Sequence, residues 1–384
     1  MARFTIPRDV YFGEGTISEL KNLKGNKAII VIGGSAVKKN GALEKVEKHL
    51  LEAGIETKLI EGVEADPSVK TVMAGVEIMN QFQPDWIIGL GGGSPMDAAK
   101  AMWIFYEYPE FTFEEAAKPF NLPELRQKAR YAAIPTTSGT GSEVTSFAVI
   151  TDHETGVKYP IADFNITPDI AIVDTTLAQS MPAKLVAYTG MDALTHSLEA
   201  YVSTMSNDLT DALAMKSIEM IQTDLLDSFK GDTTSRANMH ISQCLAGMSF
   251  SNAILGIVHS MAHKTGKIFN IPHGCANAIY LPFAIEFNAQ SAGDKYADVS
   301  KRLGLTGNTT EELVQALITF VNDLNKAMKV PSTLKEFGIE ESVFLENLED
   351  ISKNAVSDPC TGTNPREISV SEMKELFKTA YYGK

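Results

Sequence analysis

Cysteine is scarce in this sequence: three in 384 residues, at positions 244, 275 and 360, too few for the bridge framework that holds small secreted folds together. Positive charge is short as well. Against 48 acidic side chains stand 34 basic ones, a net charge of −14, so the surface repels phosphate backbones and anionic lipid unless a local patch reverses the sign. Neither nucleic acid nor a membrane is expected among its partners. No apolar run approaches the ~18 residues that cross a bilayer, and MARFTIPRDVYFGEG has neither the cationic start nor the apolar block of a secretory leader. A soluble, cytoplasmic protein is expected. Repeats of fixed period and low-complexity tracts are lacking too. What is present is an ordinary globular apolar share, 44%, on a chain long enough for two or three domains of ~150 residues.

The hydrophobic pattern changes once along the chain. From Lys27 to Asp174, β-branched runs alternate with helical stretches: KAIIVIGG (27–34), ALEKVEKHLLEAG (42–54), ETKLIEG (56–62), VKTVMAGVEIMNQF (69–82) and DWIIGL (85–90). Strands apolar on both faces that alternate with helices predict a parallel sheet covered by helices. YAAIP (131–135), SFAVITD (146–152) and DIAIVD (169–174) read as further strands, and FTIP and DVYFG near the start as a hairpin or an edge. After Ser180-Met181-Pro182 the period-two signal ends, and LVAYTGMDALTHSLEAYV (185–202) and ELVQALITFVNDLNKAM (312–328) read at helical spacing. An α/β domain over 1–181 and an all-helical domain over 182–384 are expected, with a ligand cleft between them.

GLGGGSPMDAAKAM (89–102) runs from a strand through glycines into a helix. Glycines at 91, 92 and 93 let backbone N–H groups approach an anion, and the following helix dipole adds attraction. The spacing is neither the Rossmann G-x-G-x-x-G nor the Walker motif, so a tight turn without a ligand is the plainer alternative. PTTSGTGSEVT (135–145) follows another strand and packs six hydroxyl side chains and two glycines into eleven residues. Two such loops at the carboxyl ends of parallel strands point to a nucleotide site. The first strand ends in Gly33-Gly34-Ser35, with Lys38 and Lys39 following, where an NAD site would normally carry a carboxylate for the ribose 2′-hydroxyl. A 2′-phosphate is tolerated there, which predicts NADP(H) over NAD(H).

Of seven histidines, five lie between 196 and 273, and four of these, at 196, 259, 263 and 273, fall in spacings with chemical meaning. Asp192 and His196 are four apart on a predicted helix and share a face; His259 and His263 repeat that spacing, and His273 follows Pro272 at a predicted helix start. Each motif alone has a plainer reading: a hydrogen-bonded pair on a helix surface, a satisfied core pair, a helix cap. Together they set five polar groups in segments rich in Ala, Leu, Ile and Met, where leaving them unpaired is costly. Three nitrogen donors and a carboxylate suit Fe²⁺ or Zn²⁺ with room for substrate. Spacing does not choose between His259 and His263. His49, His153 and His240 lie outside the cluster.

These segments, with TPDIAIVD (167–174), TGMDALTHSLEAYVS (189–203) and GIVHSMAHKTGKIFNIPHGCANA (256–278), resemble the iron-containing (group III) alcohol dehydrogenase family over nearly the whole chain. Within it the sequence is most similar to the NADPH-dependent butanol dehydrogenases, also in GGSAVKKNG (33–41). The resemblance implies metal ligation by Asp192, His196, His259 and His273, with His263 beside the nicotinamide as the catalytic proton carrier. It also implies that Gly92, Gly93, Ser94 and Asp97 line the pyrophosphate and nicotinamide region, that Thr136, Thr137 and Leu177 border the adenosine or ribose, and that Lys158 lies near the cofactor. Family members that prefer NAD often carry Asp where this chain has Gly33. The implied activity is hydride transfer between NADP(H) and small primary aliphatic alcohols or aldehydes, in a homodimer joined through its N-terminal strands. Alternatives are a polyol dehydrogenase acting on glycerol or diols, a dehydroquinate synthase-like enzyme on the same two-lobed plan, a metallohydrolase, and a non-catalytic sensor; the full ligand set argues against a maleylacetate reductase.

Overall fold

A computed structural model describes residues 3–154 and 157–383. The chain divides into Met1–Ser180 and Met181–Lys384. In the first unit, β1 (Asp9–Gly13), β2 (Lys27–Ile32), β3 (Glu56–Ile60), β4 (Trp86–Gly91), β5 (Arg130–Pro135) and β8 (Ile170–Asp174) form one sheet in the order β1-β8-β5-β4-β2-β3. Every pairing is parallel. Strands β4 and β8 are buried throughout and β2 at all but its first residue, which is why they read as continuous apolar runs instead of alternating ones. Helices α1 (Ala42–Glu52), α2 (Val69–Phe82) and α3 (Gly93–Glu107) connect them. Two apolar clusters form the core: Ile29, Val31 and Ile87 pack with α2 and α3, whereas Ile30, Ile32 and Ile88 pack with α1.

The order of strands fixes where a ligand can sit. From β2 the chain passes to β3 on one side, and β4 then pairs on the other, so the connections leave the carboxyl ends of β2 and β4 in opposite directions. A crevice opens at such a switch. Two expectations are corrected. SFAVITD is not in the main sheet: β6 (Phe147–Thr151) pairs antiparallel with β7 (Lys158–Ala162), a strand the pattern did not reveal, in a separate two-stranded sheet. FTIP forms no strand, while DVYFG is the edge strand of the two outcomes expected for it, parallel to β8.

The second unit is helical among the described residues. Its longer helices are α4 (Ala183–Val202), α5 (Asp208–Lys230), α6 (Thr233–Ala253), α7 (Ile257–Thr265), α8 (His273–Arg302), α9 (Thr310–Ala327), α10 (Glu341–Val356) and α11 (Val370–Tyr382). Helix α4 packs against α5, α6 and α8, and α8 against α7, α9 and α11. Fifteen of the twenty residues of α4 are buried, so its polar side chains must find partners inside the fold.

Candidate metal centre and dinucleotide cradle

Helix α4 presents Asp192 and His196 one turn apart, both almost fully buried. Gly256 begins α7 and puts His259 in its first turn, and Pro272 caps α8 so that His273 is its first residue. The start of α8 lies hard against α4: a Cβ on Gly274 would stand 2.2 Å from the carbonyl oxygen of Tyr188, so only glycine fits. Around Asp192 Oδ1 lie His273 Nε2 at 3.5 Å, His259 Nε2 at 3.8 Å and His196 Nε2 at 4.0 Å. Donors bonded to one cation at ~2.0–2.2 Å stand about 3.4 Å apart at tetrahedral angles and further apart at wider ones, so Asp192, His196 and His259, whose donor atoms lie within 4.8 Å of one another, fit a first-row divalent ion, and His273, 44% exposed, adjoins them through Asp192. Phe250 stacks on His196 with ring centroids 4.3 Å apart and closes that side with an apolar wall.

His263 stands apart from this set. Its Nδ1 is 3.2 Å from Asp358 Oδ2, which Lys264 Nζ also approaches at 2.8 Å. Its ring lies 5.7 Å from that of His273 and nearly parallel to it, and its side chain is 34% exposed. Burial pushes the Asp358 carboxyl up, but His263 and Lys264 outweigh it and hold the group well below the usual carboxylate range. Cys360 joins His263 and Asp358, its thiol pushed up by burial and by the Asp358 carboxylate. With an ammonium already on Asp358 and no thiolate, that group orients His263 and is a poor cation site.

In the first unit, Gly33, Gly34 and Ser35 follow β2, Gly92, Gly93 and Ser94 follow β4, and Thr136 and Thr137 follow β5. All lie at the carboxyl end of the sheet. Gly91 has φ +146°, and its Cβ would meet Pro95 at 2.6 Å, so the turn from β4 into α3 needs glycine. Gly92 then caps a fifteen-residue helix without a side-chain cap, at an end that favours an anion. Ser94 Oγ donates to the carbonyl of Ala65. Asp97 is an internal tie: its carboxylate takes Ser142 Oγ–H at 2.7 Å and the Val149 N–H at 3.1 Å, and burial raises its pKa. Beside it Lys100, fully buried, donates to the carbonyls of Ser142, Thr145 and Phe147 and to the hydroxyls of Ser142 and Thr145. Lys158 stands on β7, 3.7 Å from Asp66, and Leu177 is buried with Ile30, Ile32 and Ile172. Lys38 is paired with Glu61, while Lys39 is exposed.

A family model described as iron-containing alcohol dehydrogenase matches residues 7–175, and the C-terminal model of the same family matches 186–381. The chain belongs to the iron-containing alcohol dehydrogenase family. It is 60% identical to the NADPH-dependent butanol dehydrogenase of Clostridium saccharobutylicum, over 100% of this chain and 99% of that protein. It is 39% identical to the bifunctional aldehyde-alcohol dehydrogenase of Escherichia coli, where it covers 46% of the longer chain. Among solved structures, a 1,3-propanediol oxidoreductase superimposes with a TM-score of 0.94 at 34% identity, over 99% of this chain and 100% of that one.

In this iron-type dehydrogenase the structure adds two residues to the metal centre that sequence reasoning overlooked. Asn277, fully buried, places Nδ2 at 2.7 Å from Asp192 Oδ1, 3.1 Å from His259 Nε2 and 3.2 Å from His273 Nε2. Glu199 has one oxygen 2.5 Å from His259 Nδ1 and accepts the Val258 N–H at 2.7 Å on the other. Burial raises the Glu199 carboxyl, opposed by the backbone N–H groups of Val258, Gly256 and His259, and burial together with the neighbouring imidazoles lowers His259. Helical spacing carried both signals: Glu199 lies seven residues after Asp192 and Asn277 four after His273, each on the same face.

Proposed function

We propose that this iron-family dehydrogenase interconverts small primary aliphatic alcohols and aldehydes with NADP(H), as a butanol dehydrogenase. The observation that carries the reading is the convergence of Asp192, His196, His259 and His273 from three helices, on a chain 60% identical to a protein of that activity. A bound Fe²⁺ or Zn²⁺ supplies Lewis-acid polarisation of the substrate oxygen, and NADP(H) supplies or takes the hydride. The chain's residues do the rest. Asp192 brings one negative charge to the donor set, and His196, His259 and His273 bring imidazole nitrogens. His263, with Nδ1 held by Asp358, has Nε2 available to pass to water the proton that alcohol oxidation releases.

The N–H groups of Gly92, Gly93 and Ser94 hold the pyrophosphate, with Asp97 and Lys100 fixing the neighbouring hydroxyl loop; Thr136, Thr137, Leu177 and Lys158 border the rest of the dinucleotide. Gly33, Gly34, Ser35 and Lys39 admit a 2′-phosphate, Lys38 being partly neutralised by Glu61. The protein is proposed to act in the cytoplasm as a homodimer joined through the edge strand β1, whose Phe12 is 64% exposed. The diol reading rests on a 34% identical neighbour and is the weaker of the two. One experiment tests the proposal: oxidation of NADPH and of NADH with a panel of aldehydes from acetaldehyde to hexanal, including 3-hydroxypropanal, before and after chelation. Butanal reduced with NADPH, lost on chelation and restored by Fe²⁺ or Zn²⁺, is the expected result. A clear preference for NADH, or activity indifferent to chelation, overturns it.

A further inference from the structure

Glu199 is a carboxyl group lodged between two helices, 5% exposed, with each oxygen engaged by a different partner. Oε1 accepts the Val258 N–H at 2.7 Å in the first turn of α7, and Oε2 lies 2.5 Å from Nδ1 of His259. Across the same ring, Nε2 faces Asp192 at 3.8 Å. A neutral imidazole has one N–H and one lone pair, so Nε2 can serve as a donor to a cation only when the proton sits on Nδ1. An acceptor must then be waiting at Nδ1. We propose that Glu199 is a positioning residue of the metal centre, which holds His259 in its Nδ1–H tautomer and so turns the Nε2 lone pair toward Asp192. The inference rests on the cation-binding reading above. It gives α4 three tasks on one face: a ligand carboxylate at Asp192, an imidazole at His196, and a carboxylate at Glu199 that orients a ligand carried by another helix. Carboxylate partners of this kind raise the basicity of a metal-bound imidazole as well as fixing its direction.

The isosteric variant Glu199→Gln separates this role from packing. Its amide oxygen can still accept from Val258 while its NH₂ donates to an unprotonated Nδ1, which suits the tautomer that cannot bind a cation. Bringing Nε2 to a cation then sets the Nδ1–H against that NH₂, donor to donor. Turning the amide round moves the same conflict to the Val258 N–H. The metal-free variant is therefore expected to melt at the wild-type temperature, while its affinity for Zn²⁺, measured by competition with a chromophoric chelator on the full chain, falls by ~10- to 100-fold. In a His259→Ala background the same change is expected to cost less than about twofold more, because the residue through which Glu199 acts is gone. Glu199→Asp, which keeps the charge but draws it back by one methylene, should fall between, and it carries the test if the Gln variant does not fold. Zn²⁺ affinity unchanged in the variants, or a loss that adds fully to that of His259→Ala, overturns the inference while leaving the metal reading intact. Wild-type protein that binds no stoichiometric Zn²⁺ overturns both.

Discussion

At the scale of single residues, the proposed chemistry divides between two neighbouring imidazoles on α7 that have different partners. His259 is buried against Asp192 and Glu199; His263 is part-exposed against Asp358. His259→Ala is expected to weaken metal binding and lower turnover together, whereas His263→Ala keeps the metal, by elemental analysis, and lowers turnover. Metal loss in the second variant would reverse the two assignments. Asp358 gives a pH dependence with a definite sign. Its folded pKa lies below the unfolded value of ~3.8, so its stabilisation is present above that pH and is lost as pH falls through the depressed folded value. Asp358→Asn should thus be less stable than wild type at pH 7, by about 2 kcal/mol for hydrogen bonds to a charged group. The difference should shrink toward zero in strong acid, as urea melts across the pH range would record.

At the scale of elements, the cradle depends on a loop with little regular structure of its own. Residues 136–146 are tied to α3 by Lys100, whose ammonium meets five oxygens, and by Asp97. Burial draws the Lys100 pKa down to about 8, opposed by Asp97 and Glu143, so at neutral pH it is still an ammonium with three protons to donate. Lys100→Met keeps the stem but strands three carbonyls and leaves Asp97 and Glu143 without their counter-charge. It is expected to cost ~3–5 kcal/mol of stability, and, in protein that remains folded, to raise the KM for NADPH more than it lowers kcat with saturating cofactor. Both elements of this tie were only half legible. DWII followed by GLGGGS announces strand, turn and helix because all three are local. SFAVITD announces a strand but not its partner, since period-two alternation carries no information about which sheet receives it, and β7, interrupted by Pro160, gave too weak a pattern to be seen.

At the scale of the whole molecule, the two groups of proposed ligand-binding residues belong to different units, Met1–Ser180 and Met181–Lys384. Each ligand should therefore protect its own segments first. Zn²⁺ is expected to slow amide exchange over residues 186–202 and 256–278, and NADPH over 27–40, 89–102 and 135–145. At a thousandfold excess over Kd, either would stabilise its unit by about 4 kcal/mol. Protection by Zn²⁺ confined to the glycine loops would contradict the assignment. Among the described residues no single helix is long and apolar enough to cross a bilayer, and three free thiols lie in the helical unit. The sequence alone determined the alternating strands and helices, the glycine turn after β4 and the shared face of Asp192 and His196, because short-range sterics and backbone hydrogen bonding decide such features within a few turns. Tertiary structure decided which histidine of α7 meets Asp192, that Glu199 and Asn277 join them, and that β6 leaves the main sheet. Those outcomes depend on how helices far apart in sequence pack their buried faces, a matter of side-chain volume and polar satisfaction that no local pattern encodes.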